Sequence, residues 1–197
     1  MLHPAKVGPD LSSAKPRLLT VPADSTWYRS HPAEYSPLYF GRSKSNRWDA
    51  PAKDYGVLYA AETPACAFME SIGREYLRFR AIEEKRLARC FLASFQLTRP
   101  LSLIDLATSG GLTRVGAEGN LTNSLTYEIS QGYSAALRNI PAKPDGIHYR
   151  ARHDPALHSI ALFDHAGDAL SVPRSLGDWL SYRELPAILR HYDLGLA

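Results

Sequence analysis

The stretch GVLYAAETPACAFMES, residues 56–71, decides how the centre of the chain folds. Its first six residues, GVLYAA, form a short continuous apolar run of the kind found in buried strands. Thr63 can cap a helix with its side-chain oxygen, and Pro64 suits the first helical position, where no N–H is needed. We therefore predict a buried strand over 56–61 that leads directly into a helix over 64–74.

Outward from this stretch, the remaining predicted elements fall into separate groups. Apolar patterns indicate helices at 124–138 and 182–191 and strands at 25–30, 88–97, 101–106, 145–150 and 158–163. Segments 31–55 and 108–123 are interrupted by proline or glycine and are expected to be mostly irregular. Because strands and helices do not alternate regularly, the pattern favours a mixed α+β domain over a doubly wound sheet.

The length of 197 residues suits one domain. Residues 1–22 are polar and contain four prolines, which predicts an extended N-terminal arm. We expect the domain itself to span residues 23–197.

Composition excludes several classes of function. A net charge of +3 without a basic run does not favour nucleic-acid binding. Cys66 and Cys90 belong to no paired motif, so we expect core thiols rather than a disulfide or a zinc site. No segment is apolar for long enough to cross a membrane, and the N-terminus has no secretion-signal core, so a cytoplasmic location is expected. The signatures of serine hydrolases, zincins, P-loop enzymes and Rossmann dehydrogenases are absent.

Three residues around the central stretch suggest a binding site. Arg47 ends a loop of small residues that carries three positive charges, Tyr59 lies on the predicted strand, and Glu70 lies about two turns into the predicted helix. Arginine matches phosphate oxygens with a planar fork of donors, tyrosine offers a flat aromatic face, and glutamate can stabilise positive charge. We predict that the three side chains converge near the end of the strand.

Five segments together resemble RES-domain proteins in order and spacing, over roughly residues 25–165. The segments are WYR (27–29), NRWD (46–49), GVLYAAETPACAFMES (56–71), DGIHYRARHDP (145–155) and IALFD (160–164). The resemblance implies a single α+β domain similar to diphtheria-toxin-like ADP-ribosyltransferases, with small mixed or antiparallel sheets flanked by helices.

The same resemblance implies an activity and its partners. Such proteins are toxins of type II toxin–antitoxin pairs that cleave the nicotinamide–ribose bond of NAD+, their substrate, without a metal. The ADP-ribose passes to a protein, as mono-ADP-ribosylation, or to water or phosphate. The expected partners are an Xre-like helix-turn-helix antitoxin and a possible protein target; direct nucleic-acid or membrane binding is not expected.

Carried over residue by residue, the resemblance assigns catalysis to Arg47, Tyr59 and Glu70. It assigns NAD+ binding to Arg29, Arg47, Tyr59 and Ala151. Ala151 departs from the family pattern, which usually has a serine there, and Arg152 and His153 remain as polar groups beside it. The departure leaves an alternative open: a catalytically weakened module that binds NAD+ or only its antitoxin.

Overall fold

The framework of the protein is a mixed eight-stranded β-sheet. The computed structural model describes residues 9–11 and 13–197. The strands of this sheet are β1 (Leu18–Val21), β2 (Thr26–Pro32), β3 (Val57–Ala61), β5 (Cys90–Gln96), β6 (Leu101–Asp105), β7 (Gly146–Arg150), β8 (His158–Phe163) and β9 (Arg174–Asp178). Their order across the sheet is β1-β6-β7-β8-β3-β2-β5-β9. The β6–β7 pair is parallel and the other neighbouring pairs are antiparallel. Two short strands, β4 (Ala81–Ile82) and β10 (Gly195–Leu196), form a separate parallel pair.

The helices cover the sheet and connect its strands. They are α1 (Pro64–Phe68), α2 (Arg74–Tyr76), α3 (Glu84–Ala88), α4 (Asn120–Asn123), α5 (Glu128–Arg138) and α6 (Leu185–His191). A π-helical turn, Met69–Gly73, joins α1 to α2, and 3-10 turns occur at Thr113–Val115 and Asp164–Ala169. Within the described residues, no helix is long and apolar enough to cross a membrane.

The central stretch folds as its sequence predicts. β3 is buried, and the Thr63 hydroxyl oxygen accepts a hydrogen bond of 3.1 Å from the backbone N–H of Cys66 at the start of α1. Alternate residues of a strand point to opposite faces, so Tyr59 lies on the same face as Val57. This is the face covered by α1 and α5.

Three apolar clusters form the core. The first packs α1 and the π-helical turn against α6, with Phe68, Ile72 and Trp179 at its centre. The second lies beneath α5 and includes Trp48 and Phe163. The third covers the opposite face of the sheet. The first two clusters share one face of the sheet, and the cavity described below is lined by residues of both.

The predicted mixed α+β domain is confirmed, with most strands in one large sheet rather than in small ones. Residues 18–21 of the predicted arm form β1, paired with β6 in antiparallel register, whereas residues 1–8 and 12 of that arm lie outside the described residues. The predicted helix over 124–138 begins only at Glu128. Ser124 shows why, because its hydroxyl accepts the backbone N–H of Thr126 and holds a turn in place of a helical bond.

Candidate functional site

A cavity of about 510 Å³ lies on the helix-covered face of the sheet. Its walls come from β2, β3, residues 46–47, the helix that contains Glu70, segment 122–127, and the ends of β7 and β8. Arg29, Arg47, Tyr59 and Glu70 all line this cavity. The structure thus brings together the three side chains that the sequence predicts to converge, with Arg29 beside them.

Arg47 is the buried end of the small-residue loop. Its guanidinium donates hydrogen bonds to the carbonyl oxygens of Leu121 (3.1 Å) and Ser124 (2.9 Å), and it lies 5.1 Å from the centre of the Tyr127 ring. Burial lowers the pKa of this guanidinium. A buried arginine held on one side by neutral carbonyls keeps its charge available to an anion in the cavity.

Tyr59 presents its ring to the cavity while its hydroxyl is engaged elsewhere. The hydroxyl donates to Asp49 Oδ1 and accepts from the backbone N–H of Trp48, both at 2.9 Å. Burial, together with the nearby Asp49 carboxylate, raises the pKa of Tyr59 well above its ordinary value. The aromatic face rather than the hydroxyl is therefore the part of Tyr59 offered to a ligand.

Glu70 lies in the π-helical turn, a rare local geometry that is frequent at functional sites. The hydroxyl of Ser71 donates to the carbonyl oxygens of Ala67 and Phe68 in the preceding turn, a contact that bends helices. The Oε1 atom of Glu70 accepts backbone N–H groups of Arg152 at 3.0 Å and His153 at 3.4 Å.

Burial raises the pKa of the Glu70 carboxyl above its ordinary value, whereas those two backbone donors, Arg74 and Arg47 lower it. Desolvation and hydrogen bonding therefore act on Glu70 in opposite directions. The site thus holds a carboxylate that is oriented by the backbone and only weakly screened by water.

Arg29 brings a second, partly buried cation to the cavity wall. One guanidinium nitrogen donates to the carbonyl oxygen of Tyr59 at 3.2 Å, and the buried Nε has no hydrogen-bond partner. Burial lowers the pKa of Arg29 to about 10. An unsatisfied buried donor on a cation is expected where a ligand completes the site.

Ala151 does not line the cavity. It is 2% exposed, packs in the first core cluster, and donates its backbone N–H to the Leu157 carbonyl oxygen at 2.9 Å. A different hydroxyl, that of Ser159 on β8, reaches the cavity wall and contacts the Cys66 sulfur at 3.5 Å.

Sequence reasoning missed Ser159 because a serine on an apolar strand carries no motif. It also missed Asp49, although this residue closes the NRWD segment, and the backbone N–H groups that bind Glu70. Only the fold shows which polar atoms face one another.

The cavity wall carries an excess of positive charge. It contains four arginines and two glutamates: Arg29, Arg47, Arg74 and Arg152, with Glu70 and Glu75. Such a wall favours an anionic ligand, while Glu70 can stabilise a cationic centre. Within the described residues, no cluster of His, Cys, Asp and Glu side chains could hold a metal ion.

Comparisons with known proteins identify a matching family and two similar proteins. A family model described as the RES domain matches residues 26–186. A protein named probable toxin y4kH, from Sinorhizobium fredii (strain NBRC 101917 / NGR234), is 35% identical over 103 residues, covering 52% of this chain and 79% of that protein. A chain in the crystal structure of the M. tuberculosis MbcT–MbcA toxin–antitoxin complex has the same fold. The TM-score is 0.60 at 19% identity, over 88% of this chain and 91% of that chain.

Proposed function

The chain belongs to the RES domain family, and from this premise we propose that it is the toxin of a toxin–antitoxin pair and cleaves the nicotinamide–ribose bond of NAD+. The observation that carries the proposal is the shared cavity of Arg29, Arg47, Tyr59 and Glu70. Its cations suit a diphosphate, its aromatic face suits a planar base, and its carboxylate suits a sugar cation.

The proposed reaction needs one anionic group close to the ribose. When the bond between ribose C1′ and the nicotinamide nitrogen breaks, its electron pair moves to the pyridinium ring and leaves neutral nicotinamide. The ribose is left with oxocarbenium character, as in glycoside cleavage. Glu70, fixed by two backbone donors, is the carboxylate that would stabilise this charge. Because the leaving group departs without a proton, no second carboxylic acid is required.

The acceptor of ADP-ribose can be a protein side chain, water or phosphate. In the first case the protein is a mono-ADP-ribosyltransferase; in the others it depletes NAD+. A catalytically weakened module that binds NAD+ or its antitoxin is the second candidate function, favoured by Ala151 at the family's serine position. The placement of Ala151 in the core, away from the cavity wall, supports the catalytic proposal over this alternative.

The proposed partner is a protein antitoxin, and the proposed location is the cytoplasm. The solved structure with the same fold comes from a toxin–antitoxin complex. The resemblance of the sequence to RES–Xre systems further suggests that the antitoxin is an Xre-like helix-turn-helix protein. In this proposal the antitoxin, rather than the toxin, contacts DNA.

The proposal is tested by incubating the purified protein with NAD+ and separating the products by chromatography. Free nicotinamide from the isolated protein would support hydrolysis, and added phosphate that increases its release would support phosphorolysis. Label that appears on protein only after a lysate is added would support ADP-ribosylation. Tight NAD+ binding with no release of nicotinamide under any of these conditions would favour the catalytically weakened module instead.

A further inference from the structure

Asp49 is a buried carboxylate to which the proposed reaction assigns no role. It is 1% exposed, and both of its carboxylate oxygens accept hydrogen bonds. Oδ2 accepts the Ser43 hydroxyl at 3.1 Å, the Asn46 backbone N–H at 3.0 Å and the Asn46 side-chain amide at 3.3 Å. Oδ1 accepts the Tyr59 hydroxyl at 2.9 Å. Burying a carboxylate is costly unless hydrogen bonds replace its water, and here the four hydrogen bonds come from the loop and from Tyr59.

These bonds fix the residues on both sides of Arg47. On one side Asn46 donates to Asp49, and on the other Trp48 donates its backbone N–H to the Tyr59 hydroxyl. The side-chain amide of Gln131, on α5, donates to the carbonyl oxygens of Lys44 and Asn46, both at 2.9 Å. Asp49 therefore connects the loop that carries Arg47 with the strand that carries Tyr59.

We propose that Asp49 is a positioning residue for the substrate site, which sets the Arg47 guanidinium and the Tyr59 ring at a fixed separation across the cavity. This inference rests on the proposed function, since the substrate is taken to be NAD+. Asp49 acts through Arg47 and Tyr59 and does not itself line the cavity. Substitution of Asp49 should therefore weaken NAD+ binding, which depends on Arg47 and Tyr59, more than it disturbs the position of Glu70.

The two substitutions at Asp49 separate its two groups of bonds. Asp49→Ala removes all four acceptor contacts. Asp49→Asn keeps one carbonyl oxygen, which can still accept from Ser43 and Asn46. Its amide N–H group would face the Tyr59 hydroxyl, which in the wild-type protein donates to Asp49 and would lose its acceptor. We expect Asp49→Ala to raise the dissociation constant for NAD+ by up to ~10²-fold, the scale on which small misplacements of binding groups act. Asp49→Asn should have a smaller effect in the same direction.

The experiment measures NAD+ binding by titration calorimetry in a Glu70→Gln background, so that turnover is slow during the titration. Asp49→Ala, Tyr59→Phe and their combination form a double-mutant cycle; shared action through one hydrogen bond predicts effects that are clearly non-additive. Backbone amide exchange of residues 43–49 is measured in parallel and should accelerate in Asp49→Ala. Asp49→Asn carries the test if the alanine variant does not fold.

Asp145 provides the matched control. It is also a buried carboxylate, accepting from Arg99 at 3.0 Å and the Ser102 backbone N–H at 2.8 Å, but it does not line the cavity or touch its wall. Asp145→Asn should lower Tm and leave NAD+ affinity unchanged. Faster exchange at 43–49 without weaker NAD+ binding, or additive effects in the cycle, would overturn the role of Asp49. No NAD+ binding by the Glu70→Gln protein itself would instead contradict the proposed function.

Discussion

Arg29 is a cation placed in the cavity wall without a carboxylate partner among the described residues. Its lowered pKa means that the folded protein holds the charge less readily than the unfolded chain does. A cation whose pKa is depressed by folding destabilises the fold at every pH below that pKa, and so at neutral pH. We interpret Arg29 as a residue retained for binding at the expense of stability.

Arg29→Met tests this interpretation. We expect NAD+ affinity to fall about 10- to 100-fold, corresponding to the loss of a charged hydrogen bond worth about 1.5–3 kcal/mol. Tm should stay the same or rise, because a partly buried charge without an ionic partner is removed. Thermal unfolding and NAD+ titration of the same samples provide both measurements.

Arg99→Met is the comparison variant, because Arg99 pairs with Asp145 and Asp168 outside the cavity. It should lower Tm slightly and leave NAD+ affinity unchanged. A clear drop in Tm for Arg29→Met with unchanged affinity would show that Arg29 is structural.

At the scale of the elements, the sequence predicts strands and helix caps that depend on neighbouring residues, but not features that depend on contacts between distant residues. The apolar run of β3 and the Thr63 cap suffice to predict the strand and the start of its helix. β9 is polar and partly exposed at the edge of the sheet, so its residues carry no strand pattern. The π-helical turn at Glu70 and the bond between Tyr59 and Asp49 depend on tertiary contacts that no local pattern encodes.

Gly146, where β7 pairs with β8, has no room for a side chain. A Cβ there would lie 2.3 Å from the carbonyl oxygen of Ala161, a backbone atom that cannot move aside. We expect Gly146→Ala to lower the free energy of unfolding by about 1–3 kcal/mol or more. Gly119→Ala, at a position with nothing within 4 Å, should change it by no more than about 0.5 kcal/mol. Urea denaturation distinguishes the two, and equal stabilities would contradict the close packing of β7 on β8.

At the scale of the whole molecule, two exposed apolar residues occur in segment 122–127, which lines the cavity, and at the start of the helix that follows it. Leu125, which lines the cavity, is 81% exposed, and Ile129, at the start of α5, is 66% exposed. Exposed apolar residues next to a binding site often mark a protein interface. If the proposed antitoxin inhibits the protein by covering the cavity, we expect its contact to include Leu125 and Ile129.

Ile129→Asp should therefore weaken inhibition by the antitoxin without impairing nicotinamide release by the isolated protein. Val172→Asp is the control: Val172 is 90% exposed and lies in a part of the chain, residues 160–197, that contributes nothing to the cavity wall, whereas Ile129 follows the cavity-lining Tyr127 by two residues. Nicotinamide release is followed while a candidate antitoxin, encoded by a neighbouring gene, is titrated into each variant. Identical inhibition of Ile129→Asp and wild type would place the antitoxin elsewhere.

The most direct test of the account is the rate of nicotinamide release from NAD+ by the wild-type, Glu70→Gln and Glu62→Gln proteins. Glu62 is a matched carboxylate that binds the backbone N–H of His158 at 2.7 Å and does not line the cavity. The account predicts that Glu70→Gln slows release by ~10²–10³-fold, as removal of one charge-stabilising group does, while still binding NAD+. Glu62→Gln should release nicotinamide at close to the wild-type rate. The account would be contradicted if Glu70→Gln released nicotinamide at the wild-type rate. It would also be contradicted if the wild-type protein released none in buffer, with added phosphate, or with added lysate.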